Sequence, residues 1–352
     1  MQNYYAAGIM SGTSLDGLDI AFCKFTHNQE WRFEIVKAST IAYDKSWIKK
    51  IKKAEFLSGL ELIKLHKSYG RFIGEKINQF LAELEKKPDL IASHGHTVFH
   101  QPHKKITLQI GNGAEIASLT GITTISDFRS LDVALGGQGA PLVPIGDELL
   151  FSDFDYCLNI GGFANISTRN NKKRIAFDIC PANIILNALA EKFNQSFDKD
   201  GKLGQSGKSE TSLLKQLNNI NFYDQPYPKS LGKEWLDKFF IPVLTQSSIS
   251  VVDQISTLYE HISDQVTNVI TNHPSKKVLV TGGGACNKYL IDRIKAKSEA
   301  QIFIPSKEII EFKEAIIFAL LGILRYKRQI NCLSSVTGAK IDTSSGVIHL
   351  AT

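Results

Sequence analysis

The chain has 352 residues, 43% of them hydrophobic and 22% charged, and a net charge of +6 spread over scattered lysines such as Lys49-Lys50, Lys52-Lys53, Lys86-Lys87 and Lys276-Lys277. This excludes a disordered or fibrous chain, and without a Lys/Arg stripe interleaved with aromatics no nucleic-acid partner is expected. The length exceeds one compact core, so two lobes are expected, over 1–154 and 155–352.

Strands are predicted over residues 4–10, 18–25 and 33–38, each run too short for a helix. The first two flank the turn Gly12-Thr13-Ser14-Leu15-Asp16-Gly17-Leu18-Asp19, which therefore joins strand to strand. A P-loop or dinucleotide loop instead joins strand to helix and holds phosphate at the helix N-terminus. In a hairpin, phosphate has to be met by backbone N–H groups and by the hydroxyls of Ser11, Thr13 and Ser14, with Asp16 or Asp19 holding Mg2+ through water. An ordinary Gly-rich hairpin turn is the plain alternative.

Residues 57–84 place Leu62, Leu65, Tyr69, Phe72, Ile73, Ile77 and Phe80 at helical spacing, and 89–92 and 122–125 read as buried strands. The segment Ser93-His94-Gly95-His96-Thr97-Val98-Phe99-His100-Gln101-Pro102-His103 holds four of the nine histidines. It reads as a sugar-contacting loop, as a loop of hydrogen-bonded or exposed histidines, or as part of a zinc site lacking an identifiable third ligand. In the polar stretch that follows, Asp127, Arg129 and Asp132 suit vicinal hydroxyls, while Asp127 and Arg129 can equally pair with each other.

The opening pattern returns at 156–160, Gly161-Gly162, 163–168 and 174–179, which suggests a duplicated three-stranded unit with helices. Two facing lobes would set the two Gly turns across one cleft. Asp178, at the end of the third strand, is placed for a general base or for capping the next helix. Further helices are predicted over 184–193, 255–270, 287–297 and 312–325, with a strand over 277–280 ending in Gly282-Gly283-Gly284. The apolar run 315–324 is half the length needed to cross a bilayer and reads as a buried helix. Gly201-Lys202-Leu203-Gly204-Gln205-Ser206-Gly207-Lys208-Ser209 has five residues between Gly201 and Gly207 where a Walker A loop has four, so a polar surface loop is predicted.

The cysteines Cys23, Cys157, Cys180, Cys286 and Cys332 are odd in number and far apart, pointing to a reducing compartment. No basic region followed by an apolar stretch opens the chain, so no signal peptide and no membrane partner are expected, and the cytoplasm is the predicted location.

Taken in order, Gly12 to Asp19, Ser93-His94-Gly95, Asp127-Phe128-Arg129, Gly136-Gly137-Gln138-Gly139-Ala140-Pro141, Asn159-Ile160-Gly161-Gly162, Pro228-Lys229-Ser230, Gly282-Gly283-Gly284-Ala285 and Ser335-Val336-Thr337-Gly338-Ala339 resemble the anhydro-N-acetylmuramic acid kinase family over almost the whole chain. The resemblance implies a two-lobed α/β fold, actin-like or hexokinase-like (ribonuclease H-like), with a duplicated β-β-β-α-β-α unit and an interlobe cleft. It implies an enzyme of bacterial cell-wall recycling that opens 1,6-anhydro-N-acetylmuramic acid with water and phosphorylates O6 from ATP, giving N-acetylmuramate 6-phosphate and ADP. By the same match the catalytic base is Asp178. Gly12, Thr13, Ser14, Leu15, Asp16, Gly17, Leu18, Asp19, Gly161, Gly162 and Gly282, Gly283, Gly284 hold the nucleotide, with Mg2+ at its phosphates. His96, Thr97, Asp127, Arg129, Asn183 and Glu314 face the sugar. The first lobe would be the sugar side with the first phosphate hairpin, and the second the nucleotide side with the base and dimerisation helices of a homodimer.

Cys180 and Ala182 stand where the family usually has glycine, and would strain the turn if it needs positive φ. His96 replaces a family Gln, changing a sugar contact. Two other function classes remain open: a metal-dependent hydrolase built on His94, His96 and His100, and a nucleotide-binding regulator of the same fold without turnover.

Overall fold

A computed structural model describes residues 2–12 and 15–351. It divides into two compact units, one formed by residues 1–150 with 312–352 and the other by 151–311. The first unit carries β1 (Gln2–Ser11), β2 (Gly17–Asn28), β3 (Glu30–Ala42), β4 (Leu90–Ser93), β5 (His96–Gln101), β6 (Ile106–Ile110) and β7 (Thr124–Ser126). The second carries β8 (Tyr156–Ile160), β9 (Phe163–Asn170), β10 (Lys173–Pro181), β11 (Lys277–Thr281) and β12 (Gln301–Phe303), and β13 (Val347–His349) returns to the first.

The main sheet of the first unit runs β13-β7-β4-β1-β2-β3, and the sheet of the second runs β10-β9-β8-β11-β12. In both, three strands joined by turns pair antiparallel, a later strand adds parallel to the first of them, and a further one adds parallel to that strand. The α/β class and the duplicated β-β-β-α-β-α unit are thus both present. Parallel pairing needs a crossover of a dozen or more residues, which the helices Gly59–Leu81 and Val251–Val269 supply before β4 and β11. Ser58 and Ser250 cap these helices, their hydroxyls accepting from the N–H groups of Glu61 (3.4 Å) and Asp253 (3.1 Å). Strand β1 is buried over Ala6–Ile9 on both faces, whereas edge strand β3 alternates in exposure.

Three expectations are corrected. Residues 312–352 do not belong with 155–311: the helix Lys307–Tyr326 packs its buried stretch, which includes the apolar run 315–324, onto β1. The histidine segment is not a loop, because His96–Gln101 pairs with Ile106–Ile110 as a separate hairpin. Residues 201–206 are not a surface loop either. They form helical turns in which Gly201 and Gly204 are buried, fixed by Asp198, whose carboxylate accepts from Leu203 N (2.9 Å), Gly204 N (3.0 Å) and Tyr259 OH (3.0 Å).

The approach of the helix Lys307–Tyr326 to β1 is close enough to require a missing side chain. A Cβ at Gly8 would lie 1.8 Å from the Ala315 carbonyl oxygen and 2.6 Å from the Ala319 nitrogen, backbone atoms of a helix that cannot give way locally. Gly8→Ala is therefore expected to cost about 3 kcal/mol or more, read as a lowered urea midpoint at an unchanged slope; a midpoint equal to the wild type would contradict this packing.

Candidate functional site

In the first unit the chemistry-bearing residues gather around the ends of β1 and β4. The His94 N–H donates to the Ile9 carbonyl (3.0 Å), which fixes the chain just beyond β4, and the His94 ring lies against Phe318 with centroids 4.9 Å apart. Its Nδ1 is 2.8 Å from the Gly95 carbonyl, which can only accept, so Nδ1 carries the proton. Its Nε2 then accepts two bonds from Arg129, from Nε (3.0 Å) and Nη2 (2.8 Å). Burial and, after it, the Arg129 charge push the His94 pKa down to about 3. This imidazole is a neutral support for the guanidinium.

Arg129 is itself crowded by protein, which lowers its pKa, while the charges of Glu314 and Cys332 act in the opposite direction. Glu314 lies on the helix Lys307–Tyr326 and keeps solvent access. The protein packed around it raises its pKa; Arg129 and then Lys313 lower it, and Asp19 adds to the rise. The neighbouring Lys313 is buried in an ion pair with Asp147 (2.7 Å).

His96 is buried at the start of β5, with Nδ1 2.9 Å from Ser11 Oγ. Tyr43 OH donates to Ser11 Oγ (2.7 Å) and lies 2.5 Å from Tyr69 OH. Tyr43 uses its one proton on Ser11, so Tyr69 is the donor to Tyr43, while Ser11 Oγ pairs with His96 Nδ1 as donor or acceptor according to the His96 tautomer. Burial pushes the His96 pKa down to about 4 and raises those of both tyrosines. In the sequence Tyr69 marks only an apolar helix position, and nothing there marks Tyr43 or its link to Ser11. A hydroxyl at a core position gives no sign in sequence of which distant group it meets.

Other candidates in this unit are more peripheral to that cluster. Thr97 is half-buried, its Oγ1 accepting from Gln109 Nε2 (3.4 Å). Asp127 does not pair with Arg129; with φ 55° it turns back and accepts from the Ser130 N–H (3.3 Å) and hydroxyl (2.6 Å). Asp132 is fully buried and accepts from Gly139 N (2.7 Å), Thr337 Oγ1 (2.7 Å) and Cys332 Sγ (3.1 Å), so it joins two Gly-containing segments and presents nothing to a ligand. In the opening hairpin, Leu15 N donates to Gly12 O (3.3 Å), Asp16 is exposed, and half-buried Asp19 accepts from Thr40 Oγ1 (2.5 Å). Thr13 and Ser14 lie outside the described residues. Gly17 and Leu18 are already within β2, with Leu18 paired to Ser11 and its side chain in the core, so that side chain has no ligand-facing role.

In the second unit the two Gly segments converge. Gly282 has φ +79°, and a Cβ there would lie 2.6 Å from Asn159 Oδ1 and 2.7 Å from the Ile160 carbonyl. This close approach brings the turn after β11 against the end of β8. Gly161 and Gly162 turn their carbonyls onto the start of the helix Asn183–Ala190, accepting from Asn183 N (3.2 Å), and from Ala182 N (2.8 Å) and Ile184 N (3.1 Å), respectively. Asn183 Nδ2 donates to the Ile160 carbonyl (3.1 Å) and lies 3.7 Å from where a Gly283 Cβ would stand.

Asp178 is half-buried on edge strand β10, opposite Asn165, one residue before a bulge that lets the strand continue to Pro181. It does not cap the helix Asn183–Ala190, whose N-cap is Ala182. Its N–H donates to the Lys229 carbonyl (3.0 Å) and its Oδ2 accepts from Leu231 N (2.7 Å). Burial raises its pKa, and the Leu231 hydrogen bond partly offsets the rise. Neither Cys180 nor Ala182 has positive φ, the condition on which strain was expected there; both are fully buried, and Ala182, with φ −130° and ψ −106°, lies in neither the helical nor the extended region.

The histidines do not assemble into a metal centre. His94, His96 and His100 are each hydrogen-bonded to separate partners, the last through Nδ1 to Thr107 Oγ1 (3.2 Å). Among the described residues no three His, Cys, Asp or Glu side chains are grouped to hold an ion.

Comparison with known proteins decides the family. The family model for anhydro-N-acetylmuramic acid kinase matches residues 3–351. The chain belongs to that family. Curated members of the anhydro-N-acetylmuramic acid kinase family include relatives from Pseudoalteromonas translucida (35% identical, over 90% of this chain and 88% of the relative), Hydrogenovibrio crunogenus (33%, over 97% and 96%) and Mannheimia succiniciproducens (35%, over 99% of both). Among solved structures, the activator of the 2-hydroxyisocaproyl-CoA dehydratase from Clostridium difficile overlaps 92% of this chain and 96% of its own with a TM-score of 0.44 at 13% identity, and no argument rests on it. No helix among the described residues is long and apolar enough to cross a membrane.

For this kinase-family member, both histidines should stay neutral across the working range. Ring 15N chemical shifts are expected to show His94 with its proton on Nδ1, and both rings without titration between pH 5.5 and 8. A midpoint near the unperturbed value of about 6.5 at either ring would break the assigned hydrogen-bond pattern.

Proposed function

We propose that the chain is an ATP-dependent kinase that opens the 1,6-anhydro ring of anhydro-N-acetylmuramic acid with water and phosphorylates O6, giving N-acetylmuramate 6-phosphate and ADP. The observation that carries this reading is the family match from residue 3 to 351, which takes in both units. The disposition of Asp178 supports the chemistry. One carboxylate oxygen is held by Leu231 N–H, and no hydrogen bond to the other is found among the described residues. In this reading Asp178 takes a proton from water as its oxygen bonds to the anomeric carbon. The bond from that carbon to O6 breaks, and O6 bonds to the γ-phosphorus as ADP leaves.

Arg129, held through Nε and Nη2 by His94, and Glu314 offer a cation and a carboxylate for the sugar's polar groups, with His96, Thr97, Asp127 and Asn183 as further contacts. Gly12–Asp19, Gly161–Gly162 and Gly282–Gly284 are the assigned nucleotide segments. Asp16 and Asp19 offer hard oxygen donors three residues apart in one hairpin, a donor set that fits Mg2+ held through water. The ion would neutralise charge on the nucleotide's β- and γ-phosphates. A homodimer and a cytoplasmic site of action complete the proposal, by family resemblance and cysteine usage. Among the described residues no ligand set supports the metal-hydrolase reading, and the positive φ at Cys180 or Ala182 that motivated the regulator reading is not found.

A coupled assay with ATP, Mg2+ and the anhydrosugar should release ADP only when the sugar is present, with phosphate on O6 of the product. Asp178→Asn is expected to lower kcat by roughly a hundred- to ten-thousand-fold while ATP binding persists. Because the base must be ionised and its pKa is raised, activity should fall away on the acid side at a pH above the usual Asp range of about 4. Sugar-independent ADP release, or wild-type turnover in Asp178→Asn, would refute the assignment.

A further inference from the structure

The segment Pro228-Lys229-Ser230 has no role in the reaction described so far, yet it lies along the exposed edge of β10 beside Asp178. An edge strand leaves alternate N–H and C=O groups unpaired, and here the segment satisfies the one at Asp178. The Asp178 N–H donates to Lys229 O (3.0 Å), and two residues later Leu231 N–H donates to Asp178 Oδ2 (2.7 Å). Main chain and side chain of one aspartate are thereby gripped by one short stretch.

What holds that stretch is the Lys229 side chain. Instead of reaching into solvent, its ammonium turns back and donates to the carbonyls of Phe222 (3.1 Å) and Tyr223 (3.0 Å), lying 4.8 Å from the centroid of the buried Phe222 ring. This closes residues 222–229 into a ring. The ring is fastened to the core at its other end. Tyr223 OH bonds His261 Nε2 (2.9 Å), and His261 Nδ1 bonds Asn218 Oδ1 (2.6 Å), His261 being fully buried in the helix Val251–Val269. Tyr227, within the ring, stacks on Phe177 next to Asp178, with centroids 5.7 Å apart and planes 15° apart.

We propose that Lys229 is a positioning residue for Asp178: its ammonium closes the 222–229 ring, and the closed ring holds the Leu231 N–H against Oδ2, which fixes the carboxylate with Oδ1 turned to the reacting water. The proposal rests on the reading of Asp178 as the general base. Lysine suits the task because an ammonium has three donors on a flexible stem and can serve two carbonyls at once.

The test joins an activity readout to one that needs no activity. In Lys229→Met, hydrogen exchange of the Leu231 amide should quicken by at least about tenfold, and kcat should fall by about 10- to 100-fold with the KM for ATP within about twofold, since small misplacements of a catalytic group cost on this scale. Lys229→Arg, which keeps charge and donors, should recover most of both. Unchanged exchange in Lys229→Met overturns the proposal, as does faster exchange with an unchanged kcat. Should Lys229→Met fail to fold, Lys229→Gln, with one amide donor group, is judged by the same two measurements. A wild-type protein inert toward the anhydrosugar would sink the proposed function, while Leu231 exchange would still decide whether Lys229 holds the carboxylate.

Discussion

The contact on which the first unit depends is the seating of one helix backbone directly on one strand backbone, at Gly8 against Ala315. A helix normally stands off a sheet by the thickness of two side-chain layers, and removing one Cβ lets the main chains meet. That approach draws residues 312–352 back to the strands formed by residues 2–126. It also fixes where Glu314 and Phe318 lie, so that Phe318 packs on both His94 and Phe128, and Glu314 comes within electrostatic reach of Arg129. In the second unit Gly282 does the equivalent work between the turn after β11 and the end of β8. In both units the polar candidates stand on a frame of close backbone contacts, which gives their positions little room to drift.

Burial organises the charges in a consistent way. Burial keeps His94 and His96 neutral; the Gly95 carbonyl places the His94 proton on Nδ1, and the Ser11 hydroxyl faces Nδ1 of His96. The cation at that cluster is therefore Arg129, supported by an uncharged ring instead of being neutralised by a carboxylate. Glu314 and Asp178, each with a raised pKa, are carboxylates whose charged form is disfavoured by their surroundings, a property that belongs to groups that exchange protons or meet polar ligands. Fully engaged carboxylates such as Asp198 and Asp132 show the contrast, because each accepts three hydrogen bonds and organises loops.

Much of the frame was legible in sequence because it is written in short-range pattern. The runs at 4–10, 18–25 and 33–38 have the composition of strands, and β1, β2 and β3 are there. The helix Gly59–Leu81 buries Leu65, Tyr69, Phe72, Ile73, Ile77 and Phe80, as its 3.6-residue spacing required. Patterns carried by few residues were harder. The His96–Gln101 strand is interrupted by polar side chains and pairs only with β6, and the three-residue strands β12 and β13 are too short to show a period. The turns over 201–206 look polar by composition but are held inside by Asp198, a partner that local sequence does not announce.

Sequence by itself determined the family, the repeated strand order and the rejection of a P-loop, since each follows from the kinds of residue in the chain and their order. The tertiary structure alone decided that residues 312–352 rejoin the first unit, that the tyrosine hydroxyls of residues 43 and 69 act through Ser11 on His96, and that Lys229 turns back to close a ring beside Asp178. The physical reason is the range of the interactions. Strand and helix patterns arise between residues a few positions apart, whereas hydrogen bonds and close backbone contacts join groups 32, 53 or 85 positions apart, whose meeting no local period encodes.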